Sequence, residues 1–354
     1  MKVVQLLPTL VLGDAVSNNC RAIDKILKEA GYETAIYAEN IDQRLPQGVV
    51  SHISAMPHLQ DTDILLYHFS TGTPLNSRLA GFGGRLVIQY HNITPPEFFT
   101  PYDKGSEALC RRGLEEMRAL AKLPALCLAD SEFNGQNLRE AGYVCPIHTV
   151  PILVPFEDYD QAPDEHVVAK YRDDYVNFLF VGRIAPNKKQ EDVIKAFAWY
   201  QKHINERCRL FIVGNDGMTS YVNRLKQFVR AVEAKNVIFP GHIRFNEILA
   251  YYRVADVFLC MSEHEGFCVP LLEAMHFDVP IVARNTTAIP YTLGGSGVLL
   301  ESNVPMEAAL AVDRLMTDEN FRNQVVASQR ARLADFSYQK VKARLLQELH
   351  PVMK

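Results

Sequence analysis

The chain has 354 residues, 48% of them hydrophobic, and a formal charge of −4 with histidines neutral. That length suits two domains with separate cores. The near balance of charge excludes a global basic field, so nucleic acid held by bulk electrostatics is not expected and any anion must be met locally.

The opening MKVVQLLPTLVLGDA puts Lys2 before an apolar run, as a secretory leader does. Pro8, the lack of a second basic residue and the helix start that follows favour a first buried strand. No apolar run approaches the roughly 20 residues of a membrane span. Seven cysteines, Cys20, Cys110, Cys127, Cys145, Cys208, Cys260 and Cys268, form no CxxC pair and no Cys/His set at zinc spacing, which points to reduced thiols. A soluble, cytoplasmic protein is expected.

Short apolar runs recur along the first half, each followed by a polar turn and an amphipathic segment: VVQLLPTLVL then AVSNNCRAIDKILKEAGY, DILLYHF, LVIQYHN, and ALCLADS then EFNGQNLREAGY. Buried runs alternating with helices indicate parallel βαβ units. At residues 149–166, TVPILVPFEDYDQAPDEH, prolines and acids accumulate and the alternation stops, as in a linker. A second series follows: NFLFVGR, CRLFIVGNDG, NVIFPGH, DVFLCMS, VPIVARN and GVLLES. The expected fold class is α/β, with two Rossmann-like, doubly wound parallel-sheet domains facing across a cleft. They span residues 1–152 and 153–337, and an amphipathic helix at about 338–354 packs back on the first.

Ligands of such sheets sit at the carboxyl ends of the strands, which singles out the residues just after each apolar run. Gly13-Asp14 follows the first; it either brings backbone close to a phosphate or simply turns the chain and caps a helix. His68 and His91 stand at the ends of DILLYHF and LVIQYHN, as site residues or as structural histidines. Ser131 and Asn134 read as helix caps. After NFLFVGR come Arg183, Lys188 and Lys189, the lysines at a helix start where the macrodipole disfavours cations. A diphosphate would offset that, with a forked Arg contact and a Lys point charge; the alternative is solvated loop charge. After DVFLCMS comes EHEGFCVPLLEAM, residues 263–275. Pro270 suits the first position of a helix, which places Glu265 in the loop and Glu273 in the first turn. The N–H groups of Cys268, Val269 and Leu271 would then be open to a ligand. A sugar nucleotide offers an anion to those donors and hydroxyls to the carboxylates; otherwise one Glu caps and the other is solvated.

Other signals fail. GFGG at 81–84 precedes a strand, so it is not a dinucleotide fingerprint. Asp61-Thr62-Asp63 opens a strand at the sheet end opposite the ligands, so no metal site is expected there. No GxSxG, HExxH or P-loop occurs.

VGRIAPNKK, then MSEHEGFCVPLLEAMHFDVPIVA and AIPYTLGGSGVLL, resemble the C-terminal domain of the retaining GT-B glycosyltransferases of family 4. GDAVSN and LCLADSEFNGQNL resemble the N-terminal domain of that family. The E-x7-E spacing of Glu265 and Glu273, with Arg183 and Lys188 upstream, is the most specific part. The resemblance implies that Arg183 and Lys188 bind the diphosphate, Glu265 the hydroxyls of the transferred sugar, and Glu273 the ribose. Phe267, Cys268 and Val269 would contact sugar or phosphate through backbone. Gly241, His242 and Ile243 would lie against the base, with Gly13 near the phosphates and His91 near the sugar.

The implied reaction moves a hexosyl group from a UDP- or GDP-sugar, with retention and by a front-face route, to a hydroxyl of a glycan, lipid-linked or small-molecule acceptor. It needs no cofactor and no metal. Two departures are visible. Cys268 stands where relatives often carry a small residue, and one glycine, Gly13, precedes Asp14 where many have two. Asp14 is an alternative acceptor-side residue. A sugar-nucleotide 2-epimerase of the same fold and a non-catalytic sugar-binding protein are the competing functions. In KGSEALCRRGLEEMRALAKL, residues 104–123, Arg111, Arg112, Arg118 and Lys122 make a candidate contact with anionic lipid; diluted by acids, the segment otherwise reads as an ordinary surface helix.

Overall fold

The computed structural model describes residues 1–241 and 243–353. The chain divides into two compact units. The first comprises Met1–Glu97, Gly105–Pro155 and the chain from Asp335 onward; the second comprises Phe98–Lys104 and Phe156–Ala334. The break thus falls after Pro155, three residues beyond the boundary expected at 152. Residues 98–104 join the second unit because Tyr102 sits edge-on to Tyr221 with ring centroids 5.0 Å apart, and its carbonyl accepts from Ser220 Oγ at 3.0 Å.

In the first unit, seven strands run parallel: β1 (Lys2–Leu10), β2 (Glu33–Ile41), β3 (Ser51–His52), β4 (Leu59–Phe69), β5 (Gly83–Tyr90), β6 (Leu126–Ala129) and β7 (Ile147–Thr149). Their order is β3-β2-β1-β4-β5-β6-β7. Helices α1 (Ala15–Glu29), α2 (Lys104–Leu120) and α3 (Glu132–Glu140) connect them. Strand β1 reads as an unbroken apolar run because both its faces are covered: Val4 and Leu6 enter one core cluster, and Val3 enters another with Ile23 and Ile26 of α1. Arg111 and Arg112 of α2 pair with Glu107 and Glu116 one turn away. Among the described residues no helix is long and apolar enough to cross a membrane.

The second sheet holds β8 (Val176–Val181), β9 (Cys208–Val213), β10 (Val237–Gly241), β11 (Val257–Cys260), β12 (Ile281–Arg284) and β13 (Val298–Leu300), in the order β10-β9-β8-β11-β12-β13, again parallel. Its helices are α4 (Glu165–Tyr171), α5 (Gln190–His203), α6 (Thr219–Ala231), α7 (Phe245–Val254), α8 (Val269–His276), α9 (Ile289–Leu293), α10 (Pro305–Thr317) and α11 (Glu319–Leu333). Strands wind outward in opposite directions from β8 and β11, so the crevice between those two carboxyl ends is where the topology leaves room for a ligand.

The last helix, α12 (Tyr338–Leu349), belongs to the first unit. Val341, Leu345 and Leu349 recur every fourth residue and pack with Val3, Ile23 and Ile64. Lys342 pairs with Glu29 of α1, and Arg85 of β5 donates to the Val352 carbonyl at 2.9 Å.

Candidate active site

The loop after β8 is aimed by a close backbone approach. Gly182 N–H donates to the Val213 carbonyl and Ile184 N–H to that of Asn215, each at 3.0 Å. A Cβ on Gly214 would lie 1.9 Å from the Gly182 carbonyl oxygen, so only glycine fits there. The chain then passes the exposed Arg183, one 3-10 turn over Pro186–Lys188, and Lys189 in the left-handed region (φ 49°) before α5 begins. The guanidinium of Arg183 makes no hydrogen bond or ion pair among the described residues, so its donors face outward.

Asn187, 3% exposed, fastens this loop to the one after β11. Its Nδ2 donates to the His264 carbonyl at 3.0 Å, and its own carbonyl accepts from Glu263 N–H at 2.8 Å. The staple brings Lys188 Nζ to 2.5 Å from Glu265 Oε2. The side chains are 20% and 7% exposed. Burial alone would lower the Lys188 pKa, but the Glu265 carboxylate outweighs it and leaves Lys188 raised; the nearby charge of Arg183 works against this. Lys189 is held differently, by Glu263 at 2.8 Å. His264 is buried, which pushes its pKa down to about 4.

Three threonine hydroxyls hold the second loop: Thr286 Oγ1 donates to the Ser262 carbonyl at 2.7 Å, Thr292 Oγ1 donates to that of Phe267, and Thr287 Oγ1 accepts from Glu265 N–H at 2.9 Å. Helix α8 starts at Val269, one residue before Pro270, with Cys268 in the left-handed region at φ 73°. A side chain there is strained, and glycine would be at ease. Leu271 N–H bonds to the Cys268 carbonyl at 3.1 Å. It is therefore not open to a ligand as the sequence suggested, because the first turn closes on itself. Glu273 lies beyond the first turn, where Tyr159 and Tyr252 each donate a hydroxyl to one of its oxygens at 2.6 Å. Burial raises its pKa against those two bonds.

Cys260, Glu265 and Cys268 are buried with ligand atoms within 4.8 Å of one another, a soft-metal donor set in outline. The Lys188 ammonium already sits on Glu265 and repels a second cation there. The hydrogen bond with Cys260, then burial, push the Cys268 thiol up. On the base side, Gly241 closes β10 at φ 77° and Ile243 is half-buried; His242 lies outside the described residues.

In the first unit, Gly13 (φ 78°) has open space where a Cβ would stand. Asp14 caps α1, accepting from Ser17 N–H at 3.0 Å and Ser17 Oγ at 3.1 Å. His91 is engaged through both ring nitrogens, Nδ1 to Asp130 Oδ2 at 2.8 Å and Nε2 to His68 Nδ1 at 2.9 Å, and its side chain is 1% exposed. A sugar contact through its ring would have to displace His68. Sequence reasoning missed Asn187, His264, Asp130 and Gln5. Asn187 precedes two lysines and His264 lies between two glutamates, so neither stands out from its charged loop.

Two parallel-sheet α/β units make up the GT-B fold, and the second carries at its switch point an ion pair and an Arg whose side chain has no partner among the described residues. Residues 162–332 match the family model described as glycosyl transferases group 1, and this part of the chain belongs to that family. The chain is similar to O-antigen chain mannosyltransferase B of Escherichia coli, 26% identical over 264 residues, covering 72% of this chain and 67% of that protein. It is also similar to the serotype-specific mannosyltransferase WbdA of the same species, 24% identical over 186 residues, with 51% of this chain and 22% of WbdA covered. The first is matched over about two thirds of its length and WbdA over less than a quarter. Sucrose-phosphate synthase from Thermosynechococcus elongatus shares the fold, with a TM-score of 0.75 at 16% identity over 99% of each chain. So does HepE of Anabaena, solved in complex with UDP-glucose, with a TM-score of 0.75 at 17% identity over 99% of this chain and 100% of HepE.

Proposed function

We propose that the chain transfers a hexosyl group, with retention, from a UDP- or GDP-linked sugar to a hydroxyl of a glycan or lipid-linked acceptor, as a member of family 4. The observation that carries this reading is the Lys188–Glu265 pair at the switch point of the second sheet, with Arg183, whose side chain has no partner among the described residues, beside it. In this reading Arg183 forks onto the diphosphate and Lys188 adds a point charge, so negative charge developing on the leaving group is met by cations already in place. Glu265, held by Lys188, accepts from sugar hydroxyls. Glu273 holds the ribose with the oxygen lone pairs that the two tyrosines leave. Cys268 and Val269 contribute backbone, and Gly241 to Ile243 lie along the base. No metal takes part: the cations of the loop do that work, and the leaving phosphate helps deprotonate the acceptor. Given the names of the relatives, mannosyl is the first sugar to test.

The test is release of nucleoside diphosphate from UDP-, GDP- and dTDP-sugars by the purified protein, with and without acceptor extracts. Release from one donor, lost in Arg183→Ala, is the expected result. No release from any donor, or normal turnover by Arg183→Ala, overturns the assignment.

A further inference from the structure

The buried chain Gln5, His68, His91, Asp130 in the first unit has few ways to place its protons. Gln5 Nε2 donates to the Cys20 carbonyl at 3.0 Å, and turning the amide over would set two acceptors against each other. Gln5 Oε1 therefore faces His68 Nε2, at 2.9 Å, and that nitrogen must carry a hydrogen. His68 is fully buried; burial, then the charge on His91, holds its pKa well below the histidine range, so it has one ring proton. With that proton on Nε2, His68 Nδ1 accepts, and His91 Nε2 at 2.9 Å is the donor.

His91 Nδ1 and Asp130 Oδ2, 2.8 Å apart, share one further proton. Gln89 Nε2 donates to the other Asp130 oxygen at 3.1 Å, so both oxygens of that carboxyl group act as acceptors and His91 Nδ1 is the donor. His68 from β4 and Asp130 from the end of β6 are the titratable groups bonded to His91; Tyr90, beside it on β5, feels the charge of Asp130.

We propose that His68 is a positioning residue that holds His91 doubly protonated against the Asp130 carboxylate, which makes His91 Nε2 a hydrogen donor only. A ligand atom that takes the place of His68 on Nε2 must then be an acceptor, such as a hydroxyl or phosphate oxygen. That last consequence rests on the transferase reading, whereas the protonation does not.

The experiment is 15N–1H correlation spectroscopy of ligand-free protein labelled in its histidine rings, between about pH 6 and about pH 9, a range spanning ordinary histidine titration. One histidine is expected to keep both ring N–H signals throughout, and one to show Nε2–H alone. His68→Asn, whose amide oxygen stands where Nδ1 accepts, keeps the double signal; His68→Leu loses it. Wild-type protein with no doubly protonated histidine above about pH 7 overturns the proposal without any variant. So does a double signal that survives in folded His68→Leu. An intact double signal in a protein that releases no nucleoside diphosphate would count against the transferase reading alone.

Discussion

Lys188 Nζ meets Glu265 Oε2 at 2.5 Å across 77 positions of sequence, and this ion pair joins the loop after β8 to the loop after β11. The strand order explains the meeting: β8 and β11 are neighbours, although two strands and three helices separate them along the chain.

Lys188→Met should leave a buried carboxylate without its cation and cost about 3 kcal/mol in urea unfolding at neutral pH. Glu265→Gln added to it removes the stranded charge and should restore most of that stability. Turnover should fall by about 100-fold or more in the single variant and stay low in the double, since the lost cation is not replaced. Equal stability of Lys188→Met and wild type would rule out the buried pair.

Arg183→Ala is expected to do the opposite. The guanidinium is exposed and bonded to nothing described, so stability should stay within about 0.5 kcal/mol of wild type. Turnover should nevertheless drop by about 100-fold. Arg183→Lys should recover little of it, because an ammonium cannot fork onto two phosphate oxygens. A large loss of stability would make Arg183 a structural residue.

What the sequence showed and what it hid follow one physical division. Strands β1, β8, β9, β11 and β12 were legible because parallel strands covered on both faces read as plain apolar runs. Arg183, Lys188 and Glu265 were legible because they directly follow such runs. The chain Gln5, His68, His91, Asp130 was not, since its members lie in β1 and β4 and just after β5 and β6, strands whose side-by-side order no local pattern encodes. Glu273 was read as a first-turn residue open to ligand. Its partners Tyr159 and Tyr252 lie 114 and 21 positions away, and only the packed unit brings them to it.

Glu273 gives a prediction in pH. Burial raises its pKa in the folded state above the ordinary carboxyl value, so the folded protein binds this proton more tightly than the unfolded chain does. Its unfavourable contribution is absent below about pH 4 and grows as pH rises through the folded value. Glu273→Gln should remove that slope, with urea unfolding of the two proteins converging toward low pH, and should raise the donor KM more than it lowers kcat. An unchanged slope would mean that Tyr159 and Tyr252 offset burial completely.

His264 acts in the reverse sense. Burial lowers its pKa to about 4, whereas in the unfolded chain it titrates near 6.5. As pH falls from about 6.5 toward 4, the unfolded state takes up a proton that the folded state refuses, and up to about 3 kcal/mol of stability is lost across that window. Above it the contribution is constant. His264→Asn keeps a polar side chain without a titrating group and should flatten the acid limb of the stability curve between those values, while Glu273→Gln leaves that limb in place. Because the His264 carbonyl receives Asn187 Nδ2, the backbone staple survives the substitution, and any loss of turnover in His264→Asn then belongs to the side chain. A wild-type protein whose stability is level from about pH 6.5 to about pH 4, once the Glu273 slope is subtracted, would show that His264 is solvated in solution.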